Sequence, residues 1–251
     1  MTRKEFAVIG DPISQSLSPA IHRAAYDFLK VDWGYRAIQV VEGALQVSLS
    51  QAAEYSGFSV TMPLKYEAAS LCKFGDEASM VTGVVNTLLV SNEALIGFNT
   101  DVFGIIQALS NIEKPDSIAV LGSGATSVSA IYACQIAYPN ADIKVLARNA
   151  QRAGELEHRF GISSGVIPSD TLNFDLVINT VPGQRYSAAG TILLASYARD
   201  EALAVNEISG KEMLLWQALA QIRIFYLGSA ETQLPNEDQL FQQMRLAISD
   251  L

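Results

Sequence analysis

Ser117-Ile-Ala-Val-Leu-Gly-Ser-Gly-Ala-Thr-Ser-Val-Ser-Ala130 reads as a strand, a glycine turn and the start of a helix. Ser117 to Leu121 is an apolar run of strand length. Gly122 and Gly124 give G-x-G, and the third small position of that fingerprint, residue 127, is Ser rather than Gly or Ala. Glycines there allow a tight turn and close backbone approach to a pyrophosphate seated on the helix N-terminus, and a small third residue allows close helix–strand packing. A lone G-x-G also serves strand–helix turns that hold no nucleotide. Here a second apolar run, Asp142–Ala147, follows at the spacing of a βαβ unit, which favours a dinucleotide-binding fold.

The end of that second run bears on the cofactor. Dinucleotide folds that hold NAD usually place an acid at this strand end, on the ribose 2′-hydroxyl. Asp142 lies at the wrong end, and the right end reads Ala147-Arg-Asn-Ala-Gln-Arg152. Arg148 and Arg152, with Asn149 placed to cap the next helix, suit a 2′-phosphate and favour NADP over NAD. The alternative is a solvated basic helix start.

Further runs of strand length lie at Glu5–Ile9, Gly34–Val40, Gly57–Thr61, Val84–Val90 and Phe174–Thr180, with helical spacing between them. This alternation predicts an α/β protein with mostly parallel strands. The polar stretch from Leu109 to Ser117, with Pro115 and Asp116, ends a helix that starts near Asp101 and marks a boundary. The chain has 251 residues, 49% apolar and 17% charged, which is globular composition. Its net charge of −9 argues against a nucleic-acid partner. Two cysteines and two histidines exclude a disulfide framework and a His-rich or four-Cys metal site, so no metal is expected. No apolar run has the length of a signal core or a membrane span, which predicts a soluble, reduced, cytoplasmic protein.

Three polar groups stand at the ends or inside of apolar runs. Ser59-Val-Thr-Met-Pro-Leu-Lys65 carries Lys65 after a strand and a Pro turn; Gly97-Phe-Asn-Thr-Asp101 ends on an acid; Asn86 interrupts Val84–Leu88. Singly, a Lys or Asp is a surface charge and Asn86 satisfies a core hydrogen bond. Together they point to a site, because α/β sites form at strand C-terminal ends. Ser16 and Ser18 flank a predicted helix start at Ser18-Pro19, with Ser18 as its cap, where free N–H groups favour an anion such as a carboxylate.

Gly10-Asp-Pro-Ile-Ser-Gln-Ser-Leu-Ser-Pro-Ala-Ile-His22, Val60-Thr-Met-Pro-Leu-Lys65, Gly83-Val-Val-Asn-Thr87 and Phe98-Asn-Thr-Asp-Val-Phe-Gly104 resemble the signature blocks of the shikimate dehydrogenase family. The glycine turn, the Arg148 segment, Ile178-Asn-Thr-Val-Pro-Gly183 and Gly210-Lys-Glu-Met-Leu-Leu-Trp-Gln217 fall in that family's order. The resemblance implies NADPH-dependent, reversible reduction of 3-dehydroshikimate to shikimate, with a dual quinate/shikimate enzyme or a non-catalytic ligand-binding paralogue as alternatives. It implies an N-terminal α/β substrate domain (residues 1–104), a somewhat trimmed Rossmann-like NADP domain (105–229), and C-terminal helices (about 230–251) returning to the first.

Carried over residue by residue, it implies that Ser16 and Ser18 hold the substrate carboxylate and that Thr61, Asn86, Asp101 and Gln217 bind ring hydroxyls. Lys65 and Asp101 form the catalytic pair. Gly122, Ser123, Gly124, Ala125 and Thr126 hold the pyrophosphate of NADP, with Arg148, Asn149 and Arg152 at its 2′-phosphate and Thr180, Pro182, Gly210 and Met213 near the nicotinamide half. The partner is a small molecule, not nucleic acid or membrane, and homodimerisation is left open. The two domains are expected to face each other across a cleft.

This sequence departs from the family between Gly183 and Ser209, where Leu203-Ala-Val-Asn-Glu207 stands in place of a Tyr-x-Pro strand and a Thr-Pro helix start. A strand–helix unit is expected to be trimmed or replaced there. Val102 stands where glycine is common, and Met62 replaces the usual Val.

Overall fold

The structure, a computed structural model, describes residues 3–92, 94–168, 171–196 and 203–251. The chain divides into two compact units: residues up to Thr100 together with Gln217–Leu251, and Asp101–Trp216.

The first unit begins with β1 (Lys4–Gly10), α1 (Ser18–Phe28), β2 (Trp33–Gln39), α2 (Leu45–Ser50) and β3 (Tyr55–Val60). It continues with α3 (Lys65–Ser70), β4 (Lys73–Phe74), α4 (Glu77–Thr82), β5 (Thr87–Ser91) and β6 (Ala94–Phe98). The sheet order is β2-β1-β3-β5-β6-β4, and β5 runs against the other strands. β5 and β6 form a tight hairpin in which Ser91 pairs with Ala94 and Asn92 takes a left-handed φ of 47°, a conformation Asn tolerates better than most side chains. The expected strand over Val84–Val90 starts only at Thr87. Val85 N–H instead donates to Lys65 O and Asn86 N–H to Phe98 O, which turns residues 84–86 across the strand ends. Ala7, Ile9, Phe58, Val60, Leu64, Val85 and Leu88 form part of the apolar core on this sheet.

α5 (Thr100–Ala108) carries the chain into the second unit. There follow β7 (Ser117–Leu121), α6 (Ala125–Ala137), β8 (Asp142–Leu146), α7 (Ala150–Phe160), β9 (Ser163–Gly165), β10 (Leu176–Asn179), β11 (Thr191–Leu194), β12 (Glu207–Ile208) and α8 (Gly210–Leu227). The sheet is parallel, in the order β12-β11-β10-β7-β8-β9. Counted from β7 this is the doubly wound 3-2-1-4-5-6 arrangement, with its switch point between β7 and β10. Buried on both faces, β7 is apolar from Ile118 to Leu121, as a central parallel strand must be.

The trimmed stretch keeps its strands. β11 and β12 are both present, and among the described residues between β9 and α8 there is no helix. Loop side chains take the place of crossover helices: Ile167, Leu172, Phe174 and Tyr186 pack with Ala119, Leu121, Val177 and Ile192. Residues 197–202 lie outside the described residues. After α8, α9 (Glu237–Leu246) packs against α1 in the first unit. No helix among the described residues is long and apolar enough to cross a membrane.

α1 buries Ile21, His22, Ala25 and Tyr26. His22 stacks on Tyr35 with ring centroids 4.0 Å apart, and its two nitrogens meet Tyr26 Oη at 3.4 Å and Gln221 Oε1 at 3.3 Å. Burial lowers its pKa to about 3, against the smaller opposing effect of the Gln221 hydrogen bond. The folded chain therefore keeps His22 neutral where an unfolded chain takes up a proton. Stability is intact above pH 6.5 and falls as pH drops from 6.5 toward 3, by up to about 1.4 kcal/mol per pH unit. Urea midpoints measured between pH 7 and 5.5 should fall with pH in the wild type and much less in His22→Gln. Parallel curves would place the acid lability elsewhere.

Candidate active site

At the end of β3 the chain turns through Thr61-Met62-Pro63-Leu64, across a cis Met62–Pro63 peptide, into α3. Thr61 N–H donates to Ile9 O at 2.9 Å, and Thr61 O accepts from Leu64 N at 3.0 Å. The turn presses on the end of β1. A Cβ at Gly10 would lie 2.4 Å from Thr61 Cγ2 and 2.7 Å from Met62 O, so only glycine fits. Asp11 N–H then donates to Met62 O at 2.9 Å, beside a second cis peptide, Asp11–Pro12. The Gly-Asp-Pro and Thr-Met-Pro blocks are thus two halves of one fitted turn. Lys65, half-buried, is the first residue of α3, and its carbonyl accepts from Val85 N at 3.2 Å.

Asn86 is fully enclosed. Its carbonyl accepts from Val60 N at 2.7 Å and its N–H donates to Phe98 O at 3.0 Å, so it bridges the ends of β3 and β6. Its side chain binds the start of α5: Oδ1 accepts from Thr100 N at 2.9 Å, and Nδ2 donates to Thr100 Oγ1 at 2.9 Å. Nδ2 also reaches Gln217 Oε1 at 3.3 Å, on α8. Thr61, Lys65, Asn86 and Gln217 thereby gather at the C-terminal edge of the parallel strands of the first sheet, where α/β sites form. Asp101 follows Thr100 in α5, is buried, and is the first residue of the second unit.

Ser18 does not cap α1. Leu17 occupies the cap position, and Ser18 lies inside the helix with Pro19 behind it. Ser16 does that work instead, its Oγ accepting from Ser18 N at 3.3 Å. Leu17 has no acceptor side chain, and the preceding serine reaches in. Both serines still stand at the helix N-terminus.

In the second unit, Gly122 has φ 108°, a left-handed value that excludes side chains. A Cβ there would lie 2.5 Å from Thr180 Oγ1 and 3.0 Å from Ser127 Oγ. Thr180 closes the turn at the end of β10, donating to Leu121 O at 2.6 Å and meeting Ser127 Oγ at 2.7 Å. Gly124 is the cap residue of α6, extended, with nothing within 4 Å of a Cβ built on it. Open space therefore lies over Gly124, at the start of α6, with Ser123, Ala125 and Thr126 beside it in sequence. The two glycines have different reasons: Gly122 is required by the fold, and Gly124 leaves room. At the end of β8, Arg148 is exposed; Asn149 caps α7 by accepting from Arg152 N at 3.1 Å, and Arg152 is exposed beside it. Pro182 is exposed, Met213 is buried, and Gly210 begins α8 where a Cβ would meet Leu194 O at 2.4 Å.

Residues 8–88 match the family described as the shikimate dehydrogenase substrate binding domain. The shikimate dehydrogenase (NADP(+)) of Methanococcus maripaludis strain C6 is 33% identical over 196 residues, which cover 73% of this chain and 69% of that protein. This chain belongs to the shikimate dehydrogenase family. The enzyme of the same name from Staphylococcus aureus strain bovine RF122 is 34% identical over 191 residues, or 71% of this chain and 68% of that protein. Among solved structures, the shikimate 5-dehydrogenase of Thermus thermophilus, in complex with NADP(H) and shikimate, superposes with a TM-score of 0.80 at 25% identity, covering 98% of this chain and 100% of that one. The Mycobacterium tuberculosis shikimate dehydrogenase gives 0.80 at 27% identity, with 99% and 100% covered.

Sequence reasoning missed the residues behind the family's blocks. Asp76 caps α4 through Ser79 N at 2.8 Å and also accepts Asn99 N, which fixes the Phe98–Asp101 turn. Asn179 builds the turn after β10, donating to Gln184 O at 2.7 Å and accepting from Val181 N at 3.0 Å. Gln221 lies one helical turn beyond Gln217 and on its face, a spacing that could have drawn attention to it. The two glycines of the turn make a paired test. Gly122→Ala should lower the unfolding free energy by more than about 1 kcal/mol, and Gly124→Ala should leave it nearly unchanged. Equal losses in urea titration would contradict the separate reasons given for them.

Proposed function

We propose that this chain is an NADP-dependent shikimate dehydrogenase, reducing 3-dehydroshikimate to shikimate with NADPH and catalysing the reverse oxidation. The observation that carries this is the gathering of Thr61, Lys65, Asn86 and Gln217 at one sheet edge, in a chain of this family. Ser16 and Ser18, at the N-terminus of α1, bind the substrate carboxylate. Thr61, Asn86, Asp101 and Gln217 recognise the ring oxygens.

The dinucleotide fits the second unit. The open space over Gly124 leaves the first-turn N–H groups of α6 to a pyrophosphate, a helix-terminus anion site. Arg148 and Arg152 take the 2′-phosphate. Asn149 Oδ1 is committed to its cap, so Asn149 offers Nδ2. Thr180, whose hydroxyl is bonded to Leu121 O, backs the turn, and Pro182, Gly210 and Met213 line the nicotinamide side. The bound nicotinamide supplies hydride transfer at the ring carbon.

Proton traffic falls to this chain. In reduction, the Lys65 ammonium donates a proton to the oxygen as it gains negative charge; in oxidation the neutral amine takes it back. Asp101 is the proposed second member of the catalytic pair. The working compartment proposed is the cytoplasm, in keeping with the free thiols of Cys72 and Cys134.

The assay is loss of NADPH absorbance with 3-dehydroshikimate. Lys65→Met should lower kcat by about 10²–10⁴-fold with little change in KM, because a proton donor acts in the transition state. A near-normal kcat with a raised KM would make Lys65 a binding residue. Arg148→Leu should raise the KM for NADPH about tenfold or more and leave NADH nearly unaffected, the loss of one charge-assisted contact. Equal shifts for both cofactors would refute the 2′-phosphate assignment.

A further inference from the structure

The buried polar groups of the first unit form a hydrogen-bond chain with a fixed direction. Tyr26 OH donates to His22 Nδ1 at 3.4 Å, and His22 Nε2 donates to Gln221 Oε1 at 3.3 Å. Neutral histidine has one donor and one acceptor nitrogen, which this path uses in turn. A second path runs from Tyr35 OH to Ser59 Oγ at 2.6 Å, and from Ser59 Oγ to the same Gln221 Oε1 at 2.8 Å. On its other side Gln221 Nε2 donates to Asn86 O at 3.1 Å and to Thr87 Oγ1 at 3.0 Å. Thr87 Oγ1 donates to Asn86 Oδ1 at 2.9 Å.

Two groups that can play only one role set the direction. Asn86 O is a backbone carbonyl, an acceptor only, so Gln221 must turn Nε2 toward it and Oε1 toward Ser59 and His22. Thr87 Oγ1, having accepted from Nε2, sends its own proton to Asn86 Oδ1. Thr100 N, a donor only, meets the same Oδ1 at 2.9 Å. The oxygen of the Asn86 carboxamide is therefore held inward; its nitrogen donates to Thr100 Oγ1 at 2.9 Å and turns its other proton toward Gln217 Oε1 at 3.3 Å, the longer bond and the one a substrate oxygen would replace. With all four of its hydrogen-bonding positions used and only 2% of its surface exposed, Gln221 has no latitude to flip.

We propose that Gln221 is a positioning residue which, through the Thr87 hydroxyl, fixes the Asn86 carboxamide so that it meets a ring oxygen of the substrate as an N–H donor. The proposal rests on the reading that Asn86 binds substrate. Without the relay, Oδ1 keeps the bond from Thr100 N but loses one of the two donors that oppose rotation. A flipped carboxamide would set an acceptor against ring oxygens, and the donor the substrate needs would be absent.

The test compares Thr87→Val, which keeps the shape and removes the hydroxyl, with Thr87→Ser, which keeps the hydroxyl and removes a buried methyl. Two readouts are taken: KM for 3-dehydroshikimate, and the Asn86 side-chain amide NMR signals of the protein without substrate. Thr87→Val should raise KM about tenfold, the loss of roughly one hydrogen bond, shift the Asn86 amide signals, and leave the KM for NADPH unchanged. Thr87→Ser should restore both readouts. Gln221→Met, where it folds, should act as Thr87→Val does. If both Thr87 variants lower thermal stability and neither moves KM or the amide signals, Thr87 is packing only and the inference is overturned. Asn86→Ala separates the two levels. A raised KM in Asn86→Ala with a normal KM in Thr87→Val overturns the relay and leaves the proposed function standing. A normal KM in Asn86→Ala overturns the substrate role of Asn86, and the relay falls with it.

Discussion

Asn86 is buried, and burial obliges each of its polar atoms to find a partner. Its backbone answers to β3 and β6, and its side chain to α5 and α8. Elements from opposite ends of the sequence are tied to one residue that has no strand partner of its own. A buried amide left without such partners costs about 1–3 kcal/mol per group, so the ends of β3, β6 and α5 cannot drift independently. The turn carrying Lys65 is held from the same place, through Val85 and Lys65 O. The proposed site residues of the first unit thus stand on a polar knot rather than on apolar packing alone. Such a knot specifies geometry more narrowly than side-chain volume does.

The second unit solves a different problem, close approach of backbone to backbone. At Gly122, Thr180 and Ser127 three small groups meet, and each of the three hydroxyl or backbone positions is spoken for. Serine at position 127 is more than a small residue standing in for glycine: its hydroxyl binds Thr180 and joins β10 to α6 across the switch point.

Much of this was legible in the residues. Continuous apolar runs located β1, β2, β3, β7, β8 and β10 within a few residues, because buried parallel strands have little choice of composition. Asn149 was legible as a cap from its place before a helix. Ser18 misled, since a serine before proline looks like a cap, and only the fold shows that Leu17 holds that position while Ser16 reaches across it. β6 and β11 escaped the reading for other reasons: β6 follows β5 through a hairpin, without the helical spacer that sets the other runs apart, and β11 lies in the stretch that departs from the family. The site blocks around Lys65, Asn86 and the glycine turn were visible as motifs. The Gln221 relay was not, because its members sit on α1, β2, β3, β5 and α8 and meet only when the chain has folded.

The side of the second sheet that carries no helix among the described residues has a consequence for how this fold varies. There, loops with their own apolar side chains cover β10 and β11, and the isolated bridge from Leu172 to Ala188 joins two of them. Loops at a sheet margin tolerate insertion and deletion far better than packed elements do. Chain length can change on that margin while β7, α6 and the residues at the switch point keep their places. The margin is the natural place to lengthen, shorten or graft a segment, and the half of the sheet from β7 to β9 is the part that must be left alone.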